Sequence, residues 1–406
     1  MAILTSQSGP TSSIRTLYAS EYKDGAEYMR LYDQLSHPVG QDGVEKAARL
    51  GETLQINFLQ AIPPGNSTIS ETVDVVPINL VDATATISPT SRYVGPVQWH
   101  EQLDMRVYTD LVAKRYKYTG EAISETIDAL ASDAALQGGI VRRAALRASL
   151  DADTTTHYFN SDALEQAAIM LQQLKCPAYI GNGRPQWMAI GNSTLLKDLR
   201  NSDTVLAVAE YQDKELIFNY ELGQIGPWKL IMNAWGKCFI GQGAACSTTY
   251  VTTLASAVTA LDKTCTMTTS TSLASGFKWL NIIDTAETSN THVRTNERVW
   301  LSSNSGAVAT IVGTGSNGGF KFNHAATTTA VTASDSVYPV AYGTPVSLAK
   351  MYDTVTGEWG ETVLKENQGM LNQWTSLAAK FYGGYGRWSE NFLIRGEYTA
   401  SSDANG

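Results

Sequence analysis

The residues that could carry out chemistry are few and widely spaced. Gly313-Thr314-Gly315-Ser316-Asn317-Gly318 has the G-x-G-x-x-G spacing of a dinucleotide loop. In such a loop the glycines let the backbone approach a pyrophosphate, and the helix that follows presents its N-terminus to it. Here the motif follows AVATIV and leads into GFKFNH, which reads as a strand, so a hairpin turn is the better account. His37, His100, His157, His292 and His324 lie far apart, with no H-E-x-x-H and no pair at ligand spacing. His100-Glu101 beside Trp99 reads as a surface pair at a strand end rather than an acid–base couple. No G-x-S-x-G elbow and no G-K-S or G-K-T phosphate loop occurs, and no two carboxylates stand out as a catalytic pair. The expectation is a chain that is not an enzyme and holds no cofactor or metal.

Composition points the same way. Charged residues make up 17% of the 406, below the roughly 25% of average proteins, so the surface is suited to being covered by copies of itself. With 30 Lys and Arg against 39 Asp and Glu, the net charge of −9 argues against a tight grip on nucleic acid phosphates. Cys176, Cys238, Cys246 and Cys265 have no C-x-x-C spacing and are expected as free thiols. The opening MAILTSQSGPTSS has no basic or apolar signal region, and no eighteen apolar residues run together. A chain folded in cytosol with no membrane step is expected.

The elements that could position anything come in a definite order. Residues 1–50 form an arm whose Tyr18, Tyr22, Tyr28 and Tyr32 have no core of their own and need a surface to lie on, in this chain or a neighbour. From Gly51 to Trp99 the period is two: Leu54, Ile56 and Phe58 alternate with polar residues, Pro63-Pro64-Gly65-Asn66 turns the chain, and TVDVVPINLV with Val73 and Val75 continues it. Pro77, Pro89 and Pro96 suit edge strands. A ribbon of two or three strands is marginal alone, so this one must lean on another surface. Gly51, Gly65, Gly95-Pro96 and Gly120 are positions where it could bend.

Thr119 to Gln137 reads as one amphipathic helix about 28 Å long, with Ile123, Ile127, Leu130 and Ala134 on one stripe. Thr119 is its expected cap and Gly138-Gly139 its expected left-handed stop, with a separate short helical segment through Leu103, Val107 and Leu111 before it. Arg142, Arg143 and Arg147 follow, either as a solvated face with local ion pairs or as a contact for an acidic partner. A helix capped at Ser161-Asp162, a buried strand at Trp187 to Ile190, a helix capped at Asn192-Ser193-Thr194, a further helical stretch ending near Tyr220 and a glycine-turned strand at Leu230 to Met232 complete this part. From Ser247 to Tyr338 the chain turns to Thr, Ser, Ala and Gly with short β-type runs and five charges of each sign. This reads as an inserted mainly-β domain, a small sandwich or barrel. SENFLIRGEYT then reads as a final strand.

Taken in this order, GETLQINFLQAIPPG and the ribbon to Trp99, the ETIDAL run, SDALEQAAIMLQQL with QWMAIGNSTLLKDLR, LGQIGPWKLIMN and WSENFLIRGEYTASS resemble the major capsid proteins of tailed bacteriophages. These have the Hong Kong 97-like fold shared with herpesvirus shells, and the chain looks most like the family typified by the podophage N-four. The resemblance implies an α+β fold divided into an N-terminal arm (1–50), an E-loop ribbon (51–102), a peripheral domain with a spine helix (103–184), an axial domain (185–246 and 339–370), the β insertion (247–338) and a C-terminal peripheral strand (371–406). It further implies a subunit that assembles with itself into hexamers and pentamers of an icosahedral head around double-stranded DNA, touching the DNA weakly. Portal and scaffolding proteins would be its partners, with a decoration protein as a further one, and it would reside in the virion after assembly in the host cytoplasm. Leu54, Ile56, Phe58, Val73, Val75, Tyr18 and Tyr22 would make the inter-subunit contacts, and Ile123, Ile127, Leu130 and Ala134 would line the spine helix. The alternative is another virion structural protein, a tail or decoration module whose β segment binds a receptor. The neutral insertion interrupts the axial domain and is the main departure from the family's pattern.

Overall fold

One helix joins the two sheets of the body. The computed structural model describes residues 20–24, 30–38, 53–59, 82–100, 111–146, 149–150, 154–181, 184–201, 224–233, 238–240, 251–259, 261–268, 279–283, 297–305, 308–312, 319–320, 323–326, 329–332, 336–352, 357–368 and 373–401. The fold is mixed α and β, with long-range strand pairing throughout.

The helix runs Leu111–Leu136 and so begins well before Thr119. Val112 and Tyr116 extend the stripe of Ile123 and Ile127 backwards and join the same core. Thr119 is therefore interior, and its hydroxyl donates to the Arg115 carbonyl at 2.8 Å, the back-bond open to a mid-helix threonine. Gly120 is buried in this helix and is no bending point. At the other end neither Gly138 nor Gly139 has positive φ, so the expected left-handed stop is absent. A Cβ at Gly138 would lie 1.8 Å from Nη2 of Arg387, so position 138 requires space for a guanidinium. Arg395 donates to the Leu136 carbonyl, placing a cation at the negative end of the helix dipole. The helix has no basic residue of its own in the last turn; its cap comes from the far end of the chain.

The first half of the helix lies on a five-stranded sheet. Here Ser36–Pro38 pairs in parallel with Leu348–Tyr352, which pairs with Trp374–Arg387, which pairs with Glu361–Gln368, while Thr90–His100 runs along Trp374–Arg387. Ile123 and Ile127, both fully buried, pack with Trp99, Leu377, Ala379 and Phe381; each contributes about 1.5–3 kcal/mol on burial. The second half, through Ala131, Ala134 and Ala135, packs on Tyr32, Leu35, Met188, Ile190, Leu348 and Leu393.

Those last residues lead into an eight-stranded sheet, ordered Val141–Arg143, Leu393–Tyr398, Ser336–Gly343, Arg184–Asn192, Trp228–Asn233, Gln224–Ile225, with Tyr179–Gly181 and Phe239–Ile240 at its margins. The helix Ser161–Gln173 covers it with Leu164, Ala167, Ala168 and Leu171. Its cap is Asn160, whose side chain accepts from the Ala163 N–H, one residue before the expected Ser161. The indole of Trp228 donates to the Leu164 carbonyl at 2.9 Å and stacks tilted on Trp187 and Tyr342. Asn192 accepts from the Thr194 N–H ahead of the helix Leu196–Arg200, as the sequence predicts; the stretch to Tyr220 lies outside the described residues. Residues 371–406 are shared between the two sheets, since Trp374–Arg387 belongs to one and Leu393–Tyr398 to the other.

Residues 251–332 make a sheet in the order Val251–Thr253, Thr329–Thr332, Trp279–Ile283, Glu297–Ser305, Val308–Val312, Thr264–Thr266. Its two outer strands also meet: Leu254 bridges Met267, the Ala255 N–H donates to the Thr266 carbonyl, and the Thr268 N–H donates to the Thr253 carbonyl. The described strands thus close into a small barrel. Inside it are Leu254, Val258, Cys265, Met267, Leu280, Ile282, Val299, Ala309, Ile311 and Phe320. Asn281 joins it to the body through the Tyr338 hydroxyl at 3.4 Å.

Candidate assembly interface

Among the described residues the catalytic candidates do not converge, and His292 lies outside them. Gly313 to Gly318 lies outside the described residues, but Gly319 and Phe320 just after it are not helical. The Leu261 N–H donates to the Phe320 carbonyl and the Phe320 N–H to the Asp262 carbonyl, with Phe320 in the barrel core, so the chain there makes a ladder and not a phosphate-binding helix. His37 lies in an edge strand, His100 shares a hydrogen bond with Gln373 at 2.8 Å, His157 sits in a short turn, and His324 stacks edge-on to Phe320. Among the described residues no group of three His, Cys, Asp or Glu could hold a metal. Cys176, Cys238 and Cys265 are buried and in no disulfide, and Cys246 lies outside the described residues. No helix among the described residues is long and apolar enough to cross a membrane.

Among the described strands, the two of the ribbon pair with each other and with no other strand. Leu54–Leu59 pairs antiparallel with Asp82–Ile87, in the register Leu54 with Ile87, Ile56 with Ala85 and Phe58 with Ala83. Leu54, Ile56 and Phe58 occupy alternate positions of this strand; Val73 and Val75 lie outside the described residues. The chain then passes from Ile87 into Thr90–His100, an edge strand whose only pairing among the described residues is with Trp374–Arg387. Tyr93 on it is 77% exposed. Gly95 has φ +94 and precedes Pro96 where the register shifts against Leu377 and Ala379, so Pro96 falls on an edge strand at a bulge; Pro89 lies between that strand and the ribbon, and Pro77 lies outside the described residues.

The arm is different. Tyr18 lies outside the described residues, while Tyr22, expected at a contact between subunits, is buried in its own chain beside Trp99, Tyr116 and Ile123. Its hydroxyl donates to the Trp359 carbonyl at 2.9 Å, and burial raises its pKa well above the usual tyrosine value. Asp33 anchors the next turn. Lys350 lies 3.4 Å from its carboxylate, the Tyr385 hydroxyl donates to it at 2.8 Å and the Ser36 hydroxyl at 2.7 Å. Burial pushes the Asp33 carboxyl up, but Lys350, these two hydroxyls and Arg30 outweigh it and hold it below its ordinary value. The Tyr32 N–H donates to Asp128 of the long helix at 2.6 Å.

Arg142 and Arg143 resolve in favour of local pairing. Arg142 donates to the Tyr398 hydroxyl at 2.8 Å, and Arg143 meets the fully buried Glu397 at 3.2 Å. Arg395 holds the other oxygen of Glu397 at 3.0 Å, so the buried carboxylate is matched by two guanidiniums. Arg147 lies outside the described residues. Sequence reasoning missed Asp33, Lys350, Trp359, Ile87, Arg387 and Arg395, whose partners lie on remote segments or beside glycines.

No protein-family model matches the chain, and no curated protein matches it. Among solved structures the chain is similar to one in the capsid of the cyanophage P-SCSP1u, at 10% identity over 91% of this chain and 88% of that one, with a TM-score of 0.49. It is also similar to one in the acidic stable capsid of the Helicobacter pylori bacteriophage KHP30, at 10% identity over 86% and 85%, TM-score 0.49. A third is in the capsid of Ralstonia phage GP4, at 12% identity over 86% and 83%, TM-score 0.47.

Proposed function

We propose that this chain is the major capsid protein of a tailed bacteriophage, a shell subunit without catalytic activity that assembles with copies of itself. The observation that carries the reading is the ribbon: paired strands Leu54–Leu59 and Asp82–Ile87 that form a sheet of their own and lead into an edge strand of the body. A two-stranded ribbon is marginal in water alone, and a neighbouring subunit is the surface that would support it. The order of elements, arm, ribbon, long helix, sheets and terminal strand, is the order that the family resemblance implies.

On this reading the subunits form hexamers and pentamers of an icosahedral head of the podophage N-four kind, enclosing double-stranded DNA. The net charge of −9 suits a container that does not bind its contents tightly. Portal, scaffolding and decoration proteins are the expected partners, the host cytoplasm the place of assembly and the virion the destination. Obligate interfaces of this type bury more than ~2,000 Å². Removing residues 54–81 tests the proposal: a soluble subunit that forms no shells in negative-stain micrographs supports it, and normal particles overturn it. The closed barrel favours a second reading, a tail or decoration module. Binding of the purified chain to host cells or glycans, with no particles formed, would establish that reading instead.

A further inference from the structure

Among the described side chains of the ribbon, one is buried against the body. Ile87, the last residue of Asp82–Ile87, is 1% exposed, and it sits over two positions of the strand Trp374–Arg387 that have no Cβ. A Cβ at Gly386 would come 2.5 Å from Ile87 Cγ1, and one at Gly384 would come 2.7 Å from the Ser88 carbonyl oxygen and 3.4 Å from Ile87 Cγ2. Neither glycine has positive φ, so what each supplies is room. Three residues later the chain has become the sheet's edge: Thr90 is the register partner of Gly383 and its hydroxyl donates to that carbonyl at 3.2 Å. Between Ile87 and Thr90 the backbone therefore passes from lying on the sheet to lying in it.

We propose that Ile87, seated on Gly384 and Gly386, is the joint that fixes the angle at which the ribbon leaves the body. It is a positioning residue: close packing at a single point leaves one direction for the strands beyond it, whereas a loosened seat leaves many. The joint stands on these contacts, and its consequence for shell building rests on the function proposed above.

Spin labels carried by unnatural residues at positions 57 and 169 of the full-length, unassembled chain report the angle as a distance distribution. The wild type should give one narrow peak. Gly386→Ala, which drives a methyl into Ile87, and Ile87→Ala, which empties the seat, should each broaden and shift it. The double variant should match Ile87→Ala alone, because the added methyl then meets the remaining Cβ at 3.6 Å, an ordinary contact, and no longer the clashing Cγ1; such non-additivity is expected of residues in contact. A distribution unchanged in both single variants, one already broad in the wild type, or independent effects in the double variant would overturn the joint. Should Gly386→Ala fail to fold, Ile87→Ala decides the matter alone, since it adds no bulk. Electron microscopy of the same proteins tests the consequence for assembly: a loosened ribbon that still builds normal shells overturns the positioning role. A wild-type chain that builds no particles sinks the proposed function, while the distance distributions still decide whether the joint exists.

Discussion

The guanidinium carbon of Arg30 stands 4.1 Å from the centre of the Trp359 ring, and the same group donates to the Glu358 carbonyl at 2.9 Å. The tryptophan lies in a turn with Gly357 at φ +63 and Gly360 at φ +76, a backbone path that favours glycine. A Cβ at Gly360 would approach the Lys380 carbonyl oxygen to 3.0 Å and the Tyr22 hydroxyl to 3.2 Å. The turn and the described residues of the arm thus fit together, and those residues pack on the body of their own chain.

Arg30→Ala should therefore loosen the arm. It removes a cation–π contact and a hydrogen bond from a buried group, a loss of about 1–3 kcal/mol. Urea denaturation should show the drop, and the bonds on either side of residue 30 should become more sensitive to protease. Lys23→Ala is the control, since its ammonium is 5.8 Å from the same ring. Equal stability of the two variants would show that the Arg30 contact contributes nothing.

Acid should release the same clamp. Asp33 is held below its ordinary 3.8 in the folded chain, so the unfolded chain binds its proton first on lowering the pH. Its stabilisation is complete above that ordinary value and is lost as the pH falls below it towards the folded value. Asp33→Asn should lower stability at neutral pH and flatten the pH dependence below about pH 4, measured as urea midpoints from pH 7 to pH 2. An unaltered acid limb in the variant would assign the dependence to other carboxylates.

The features that sequence disclosed and those it hid differ in kind. The stripe of Ile123, Ile127 and Ala134, the face of Leu164, Ala167 and Leu171, the buried run from Trp187 to Ile190 and the turn at Gly226 are all set by neighbours a few residues away. Periodicity reports such features directly. The start of the long helix is hidden because Lys114, Arg115 and Lys117 surround Tyr116 and disguise the stripe. The clamp on Asp33, the socket of Ile87 and the arginines at the helix end join segments hundreds of residues apart, and no local pattern encodes them. Glycines 384 and 386 look like flexibility in the sequence and are space in the structure.

Gly138→Ala separates those two meanings of glycine. The new methyl would collide with the Arg387 guanidinium, which donates to the Leu393 carbonyl at 3.1 Å and pairs with Glu390. Swinging that side chain aside forfeits about one hydrogen bond and should cost about 0.5–1.5 kcal/mol. Gly139→Ala next to it meets nothing within 4 Å and should be neutral or slightly stabilising. Thermal melts of the two variants make the comparison, and equal melting points would refute the steric account.

The barrel should be removable. Phe239 pairs with Val337 and Ile240 with Ser336, so the chain leaves the eight-stranded sheet at residue 240 and rejoins it at residue 336 on adjacent strands. Partners across an antiparallel pair lie about 4.5–5.5 Å apart, a gap that a turn of two to five residues spans. The barrel closes on its own core of Leu280, Ile282, Val299 and Ile311, and its excision would release the Tyr338 hydroxyl from Asn281. Replacing residues 241–335 with a short Gly-rich turn should give a folded chain whose β content falls while its melting temperature stays within roughly 2–4 °C of the parent, the shift expected for the loss of a hydrogen bond in a chain of this size. Circular dichroism and calorimetry measure both quantities. A chain that unfolds or precipitates on excision would mean that the barrel completes the core of the eight-stranded sheet, and that the insertion is structural rather than an appended unit.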